Sequence, residues 1–210
     1  MERIKWMKEA LKEAKKAYIK DEVPVGCVIV CKNKIIARGH NIKEAKNNAI
    51  LHAEIVALQK AYKKKQSWRL SDCDMYVTLE PCIMCTGAII HSRIKNLYIG
   101  TLDPKAGAVY SIDKILDKKE LNHRVNYEYS FLEKECSDLN FIFNFAITQN
   151  KPLVALKYAI SADGKIAEAR GKQTRITGNE AYADVMKWRR LFSAIAVGRG
   201  TLETDNPALT

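Results

Sequence analysis

The stretch "TLEPCIMCTG", residues 78–87, sets two cysteines three positions apart directly behind a proline. Before it lies "DMYVTL" (74–79), whose β-branched and aromatic residues predict a strand. After it, "CIMCTGAIIHSR" (82–93) reads as a helix. Cys82 and Cys85 therefore fall at a helix start. Residues three apart there project from one side, and unpaired backbone amides favour thiolates. A lone C-x-x-C is a redox pair, a metal pair or coincidence. The redox reading requires a thioredoxin-like order of elements, which the flanking sequence does not offer, and a metal requires further ligands.

Working outward, "HAEIVALQKAYKKK" (52–65) opens a second predicted helix with His52, and its lysines suit a C-terminal dipole. A single histidine at a helix start is more often a cap than a ligand. Joined to P-C-x-x-C behind the next strand, it becomes the third member of a metal set. One nitrogen and two sulfurs leave a tetrahedral Zn²⁺ with one open position, the pattern of catalytic rather than structural sites. Water bound there has a pKa of about 7. Glu54, two residues past His52, is not needed as a ligand; a carboxylate beside that water serves as general acid and base. The expected set is thus His52, Cys82 and Cys85 on one Zn²⁺ per chain, with Glu54 catalytic. H-x-E followed by P-C-x-x-C is the recognised mark of zinc nucleobase deaminases, and this sequence fits it in full.

Around these motifs the elements alternate. Ile4, Met7, Leu11, Ala14 and Tyr18 fall at helical spacing over residues 2–20. "VPVGCVIVCKNKIIARGH" reads as a hairpin turning at Lys32-Asn33, and a polar loop spans residues 41–48. "LYIGT" and "VNYEYS" predict further strands, and "FLEKECSDLNFIFNFAI" (131–147) one more helix. Helices interleaved with buried strands predict a layered α/β domain over residues 1–148. The polar, proline-ended "TQNKP" marks a boundary, after which "LVALKYAI" (153–160) and "AIAVG" (194–198) read as buried strands.

Composition narrows the class. Of 210 residues 47% are apolar, which excludes a disordered chain. The charged first twenty residues do not resemble a signal peptide, and no apolar run approaches the ~20 residues of a membrane span. A cytoplasmic location with no membrane association is expected, where thiols stay reduced, so the six cysteines read as packing or metal residues. The net charge of +11 favours anionic partners. Cys27, Cys31, Cys73 and Cys136 are expected to behave as small buried hydrophobes. Trp68 with Arg69 could stack on or pair with RNA, but Trp68 reads more readily as a packed tryptophan.

Residues 1 to about 137 resemble the bacterial tRNA adenosine deaminases, through "EVPVG" (22–26), Asn41, "HAEI", "TLEPCIMC", "HSRI" (91–94), "DPKAGAV" (103–109) and "NHRV" (122–125). The resemblance implies a three-layer α/β/α cytidine-deaminase-like sandwich, a homodimer, and conversion of the wobble adenosine in a tRNA anticodon loop to inosine. It implies that Asn41 contacts the base and Asp103 the preceding ribose, with Lys105 in the same loop placed for phosphate. Without it, Asn41 reads equally well as a turn residue. The chain departs from the family at Asn48-Ala49-Ile50-Leu51, where many members have Asp-Pro-Thr-Ala; this alters the loop before His52 and touches no ligand.

From about Glu135 onward the sequence resembles instead the junction of the bifunctional riboflavin-biosynthesis deaminase/reductase. "RITGNEAYADVMKWRR" and "AIAVGRGTLETDNPALT" are similar to the start of its dihydrofolate-reductase-like half. Residues 152–210 are accordingly expected to form an incomplete α/β segment of that reductase, too short to bind NADPH tightly. The riboflavin enzymes usually carry a longer insert between the zinc cysteines, whereas only Ile83-Met84 intervene here. The gap favours a tRNA substrate and the domain order favours the riboflavin-pathway pyrimidine; a fusion or a merged, truncated reading frame accounts for both. A third reading, a non-catalytic zinc-containing RNA-binding module, requires Cys73 or His91 to close the metal shell.

Overall fold

The computed structural model describes residues 2–209. One compact unit ends at Thr148 and a second begins at Gln149.

In the first unit α1 (Glu2–Ile19) precedes the hairpin β1 (Gly26–Cys31) and β2 (Lys34–His40). Lys32 and Asn33 take φ of 48° and 57°. Left-handed residues at both centres of a two-residue turn match the twist of a hairpin. α2 (Ala53–Lys65), β3 (Cys73–Leu79), α3 (Ile83–His91) and β4 (Asn96–Thr101) follow, then the short β5 (Asn126–Glu128). The five strands form one sheet in the order β2-β1-β3-β4-β5. β1 runs antiparallel to both neighbours, while β3, β4 and β5 are parallel. The β3-α3-β4 passage is therefore a parallel crossover, and ligands in such sheets gather at the carboxyl ends of the strands.

Two cores flank the sheet. Ile29, Met75, Val77, Leu97 and Ile99 pack on one face with Ala57 and Leu58 of α2 and Ile89 and Ile90 of α3. Val28, Val30, Tyr76 and Tyr98 pack on the other with Trp6, Met7, Ala10 and Leu11 of α1 and with Cys136. The arrangement is the expected three-layer sandwich. The buried stripe of α1 is rotated from the expected one: Trp6, Ala10 and Ala17 are covered, whereas Ile4 and Tyr18 are exposed. Close packing selects this face. A Cβ on Gly26 would lie 2.0 Å from the Ala10 carbonyl oxygen and 2.3 Å from the Ala14 nitrogen. The helix backbone rests directly on β1 through small side chains.

Three further expectations change. The helix over 131–147 is two helices, α4 (Glu133–Leu139) and α5 (Phe141–Gln149), parted at Asn140, which is buried and donates to the Pro24 carbonyl at 3.4 Å. Trp68 is not packed; it is exposed, with the Arg69 guanidinium 4.8 Å from its ring. In the second unit neither 153–160 nor 194–198 forms a strand. Its helices are α6 (Asn179–Leu191) and α7 (Arg199–Asp205), and among its described residues none is buried. Val154 and Leu156 are each 85% exposed, because an apolar run becomes a buried strand only when other strands or helices cover it. Among the described residues, no helix is long and apolar enough to cross a membrane.

Candidate active site

Both helices that meet at the carboxyl end of β3 begin with a metal-type side chain. His52 is the N-cap residue of α2 and Cys82 that of α3, each with extended backbone and neither using its side chain as a cap. N-cap positions ordinarily carry Ser, Thr, Asp or Asn bonded back to the first turn. Here the side chains turn to each other instead. Cys82 Sγ lies 3.7 Å and Cys85 Sγ 3.6 Å from His52 Nδ1. For a tetrahedral zinc with Zn–S near 2.3 Å and Zn–N near 2.05 Å, sulfur and nitrogen should stand about 3.6 Å apart. The donor set and its spacing fit Zn²⁺. Cys73 and His91 do not approach it as a fourth ligand: Cys73 opens β3 at the far end, and His91 closes α3.

The protein groups set a distinct protonation pattern. A hydrogen bond from Cys85, reinforced by His52, pulls the Cys82 thiol down to about 4. Donating that bond, together with burial, pushes Cys85 far upward. The bond to Cys82 raises His52. Glu54 is buried in the first turn of α2 and shares a hydrogen bond with Cys85; burial pushes its carboxyl up to about 7. A carboxyl with that pKa can both take and return a proton at neutral pH.

Asn41 is buried just past β2, and its Oδ1 accepts the Ala53 N–H at 2.9 Å. It thus satisfies the first free N–H of α2, and it stands beside the His52–Glu54 segment. The loop between them is fastened by Glu22, whose buried carboxylate accepts the Glu44 and Ala45 N–H groups at 3.1 and 2.8 Å.

On the other side, residues 103–111 join the cysteines. The backbone pairs Cys82 with Gly107, and Ala108 N–H donates to the Pro81 carbonyl at 3.0 Å. Asp103 is half-buried, and its Oδ1 accepts the Lys105 and Ala106 N–H groups at 2.9 and 3.3 Å; Lys105 is exposed.

The sequence did not point to Glu80 as the organiser of this loop. Glu80 is buried between β3 and Pro81. Its oxygens accept the N–H groups of Asp103 (3.0 Å), Val109 (3.1 Å), Tyr110 (2.7 Å) and Ser111 (3.0 Å), and the Ser111 hydroxyl. Backbone amides thus satisfy a carboxylate that would otherwise be costly to bury. A Cβ on Gly107 would fall 2.2 Å from Glu80 Oε2, so the loop can close on the carboxylate only with glycine there. An acidic residue inside the cysteine motif was the available signal.

Comparison with known proteins divides the chain as its motifs do. Residues 1–101 match the cytidine and deoxycytidylate deaminase zinc-binding region, and residues 152–210 match the RibD C-terminal domain. A tRNA-specific adenosine deaminase from Streptococcus pyogenes serotype M1 is 46% identical over 138 residues, 66% of this chain and 81% of the relative. One from Aquifex aeolicus is 46% identical over 134 residues, 64% of this chain and 88% of the relative. A solved structure from work on tRNA:A34 deaminases is 39% identical, with a TM-score of 0.62, over 64% of this chain and 97% of its own. The diaminohydroxyphosphoribosylaminopyrimidine deaminase/5-amino-6-(5-phosphoribosylamino)uracil reductase of Thermotoga maritima is 36% identical, with a TM-score of 0.79. That match spans 98% of this chain and 58% of the bifunctional protein. Through its zinc-region motifs and the 138-residue match, the chain belongs to the tRNA-specific adenosine deaminase family.

Proposed function

We propose that this chain is a zinc-dependent hydrolase that converts adenosine to inosine at the wobble position of tRNA. Water replaces the exocyclic amine of the base, which leaves as ammonia. The observation that carries the proposal is the 3.6–3.7 Å placement of two sulfurs around His52 Nδ1, from cysteines with only Ile83 and Met84 between them, in a chain 46% identical over 138 residues to a tRNA-specific adenosine deaminase.

His52, Cys82 and Cys85 would hold one Zn²⁺ per chain, and the bound ion supplies a water whose pKa is lowered to about 7. Glu54 takes a proton from the attacking water and delivers it to the base. Its elevated pKa keeps both protonation states populated near neutrality. Asn41, oriented by the bond to Ala53, would meet the base through its Nδ2 amide. Asp103 and Lys105 would engage the neighbouring ribose and phosphate. The target adenosine has to leave the anticodon stack to reach this depth.

Residues 1–148 constitute the deaminase domain in this reading, and 152–210 the opening part of a riboflavin-pathway reductase-type domain. The enzyme is a cytoplasmic homodimer; exposed Ile83, Tyr110 and Ile112, around the Cys82–Gly107 junction, support a surface that partner or RNA covers.

A second reading, deamination of the riboflavin-pathway pyrimidine, is favoured by one observation: the similarity to the Thermotoga maritima bifunctional protein continues through nearly the whole chain. Incubating zinc-loaded protein with tRNA and, separately, with the diaminopyrimidine ribose phosphate distinguishes the two. Inosine at the wobble position supports the proposal; turnover of the pyrimidine alone replaces it with the second reading.

A further inference from the structure

A second group of metal-type donors lies at the opposite end of β3. Cys31 closes β1 and Cys73 opens β3, and the antiparallel register sets them directly across from each other. Asp72 precedes Cys73. The two sulfurs and an Asp72 oxygen all lie within 4.8 Å of one another. Cys31 Sγ is 3.1 Å from Asp72 Oδ2, and Cys73 Sγ is 3.5 Å from Asp72 Oδ1. Tetrahedral zinc sets sulfur and carboxylate oxygen about 3.6 Å apart. From Cys73 to Leu79 the strand spans roughly 20 Å at ~3.3 Å per residue, so this group is separate from the His52 site.

The cluster already receives a cation. Lys65, the last residue of α2, places its Nζ 2.6 Å from Asp72 Oδ1 and 3.7 Å from Cys31 Sγ. That ammonium approaches the same oxygen and sulfur that a metal ion would use. The Lys65 side chain is 26% and that of Asp72 45% exposed, whereas both cysteines are buried. A cation can enter from the Asp72 side, and Lys65 can swing outward from the helix end. Sulfur donors select a thiophilic ion over magnesium or calcium.

We propose that Cys31, Cys73 and Asp72 form a second metal site that takes a thiophilic divalent cation such as Zn²⁺ or Cd²⁺, with Lys65 as its displaceable occupant. Binding releases the two thiol protons, and the ion joins the ends of β1 and β3.

Cd²⁺ titration of the full chain, followed by thiolate-to-metal charge-transfer absorption, tests this. Wild type should saturate at about two equivalents, and a Cys31→Ser/Cys73→Ser variant at about one with roughly half the amplitude, since each site contributes two thiolates. Asp72→Asn and Lys65→Met alter an exposed and a half-buried position and keep both cysteines. The first should weaken the second equivalent about tenfold, and the second should tighten it by a similar factor, as expected when a ligand or a competing charge is removed. Saturation of wild type at one equivalent overturns the proposal, as does unchanged stoichiometry in the double variant. So does a thiol titration of denatured, metal-free protein showing Cys31 and Cys73 joined as a disulfide.

Discussion

The Asp103 backbone N–H donates to Glu80 Oε2 at 3.0 Å, so the residue expected to reach ribose is held by a carboxylate two residues before Cys82. The 103–111 loop and the segment leading into α3 are thereby tied to a single side chain. Glu80→Gln replaces one acceptor oxygen with a donor that faces backbone donors. Deamination of a tRNA anticodon stem-loop by this variant should show KM raised about tenfold or more and kcat changed less, because loop order is lost while the reacting groups stay. A proportional loss of bound zinc would show instead that Glu80 acts through the cysteines.

Glu54→Ala should retain zinc and lose deamination by at least ~100-fold, as removal of a general acid/base does. Metal content by mass spectrometry and inosine formation by sequencing are measured on the same preparation. Substantial residual activity would assign the proton transfer elsewhere.

The buried Glu54 carboxyl also shapes stability in protein stripped of metal. Its folded pKa of about 7 exceeds the unfolded value of 4.5, so the folded state binds more protons between those values. The Glu54 contribution therefore becomes destabilising as pH rises from about 4.5 to 7. The neighbouring Cys82 thiol, lowered to about 4, acts in the opposite sense. Comparison with Glu54→Gln removes the shared background: the variant should gain on wild type by up to roughly 3 kcal/mol across that interval in urea unfolding. A constant difference would contradict the buried, protonated carboxyl.

Gly26→Ala should destabilise the first unit by about 3 kcal/mol or more, since the added Cβ meets helix backbone that cannot rotate away. The denaturant midpoint reports it. A neutral outcome would mean that α1 sits farther from β1 than described.

The 210-residue chain should show no saturable micromolar binding of NADPH in calorimetric titration. Limited proteolysis should cut within residues 150–209 first, leaving the zinc-bearing unit intact, because none of those described residues is buried. Saturable NADPH binding, or protease resistance equal to that of the first unit, would show the segment to be better consolidated.

The elements through β4 were legible because each has a local cause. Helical spacing marks α1, left-handed Lys32-Asn33 turns the hairpin, and Pro81 separates β3 from α3. The grouping of His52, Cys82 and Cys85 was legible for the same reason, since His52 and Cys82-Ile83-Met84-Cys85 declare themselves within a few residues. Glu80 was not, because its partners are backbone amides some 23 to 31 residues away and leave no side-chain pattern. Cys31 and Cys73 meet only through strand register, 42 positions apart in sequence, so local spacing could not join them. The apolar run at 153–160 misled because hydrophobicity reports a demand for cover and not its supply.

His52 and Cys82 start α2 and α3 with side chains that make no cap bond, so an ion shared by the two would tie both first turns to a common point. Zinc affinity and the local order of those turns are then one quantity. Removing the ion should release the amides of residues 53–56 and 83–86 to hydrogen exchange well before the sheet opens. Substitutions near the starts of α2 and α3 would weaken metal binding even where they touch none of the three donors, so the folding of these two turns would set the lifetime of a bound ion.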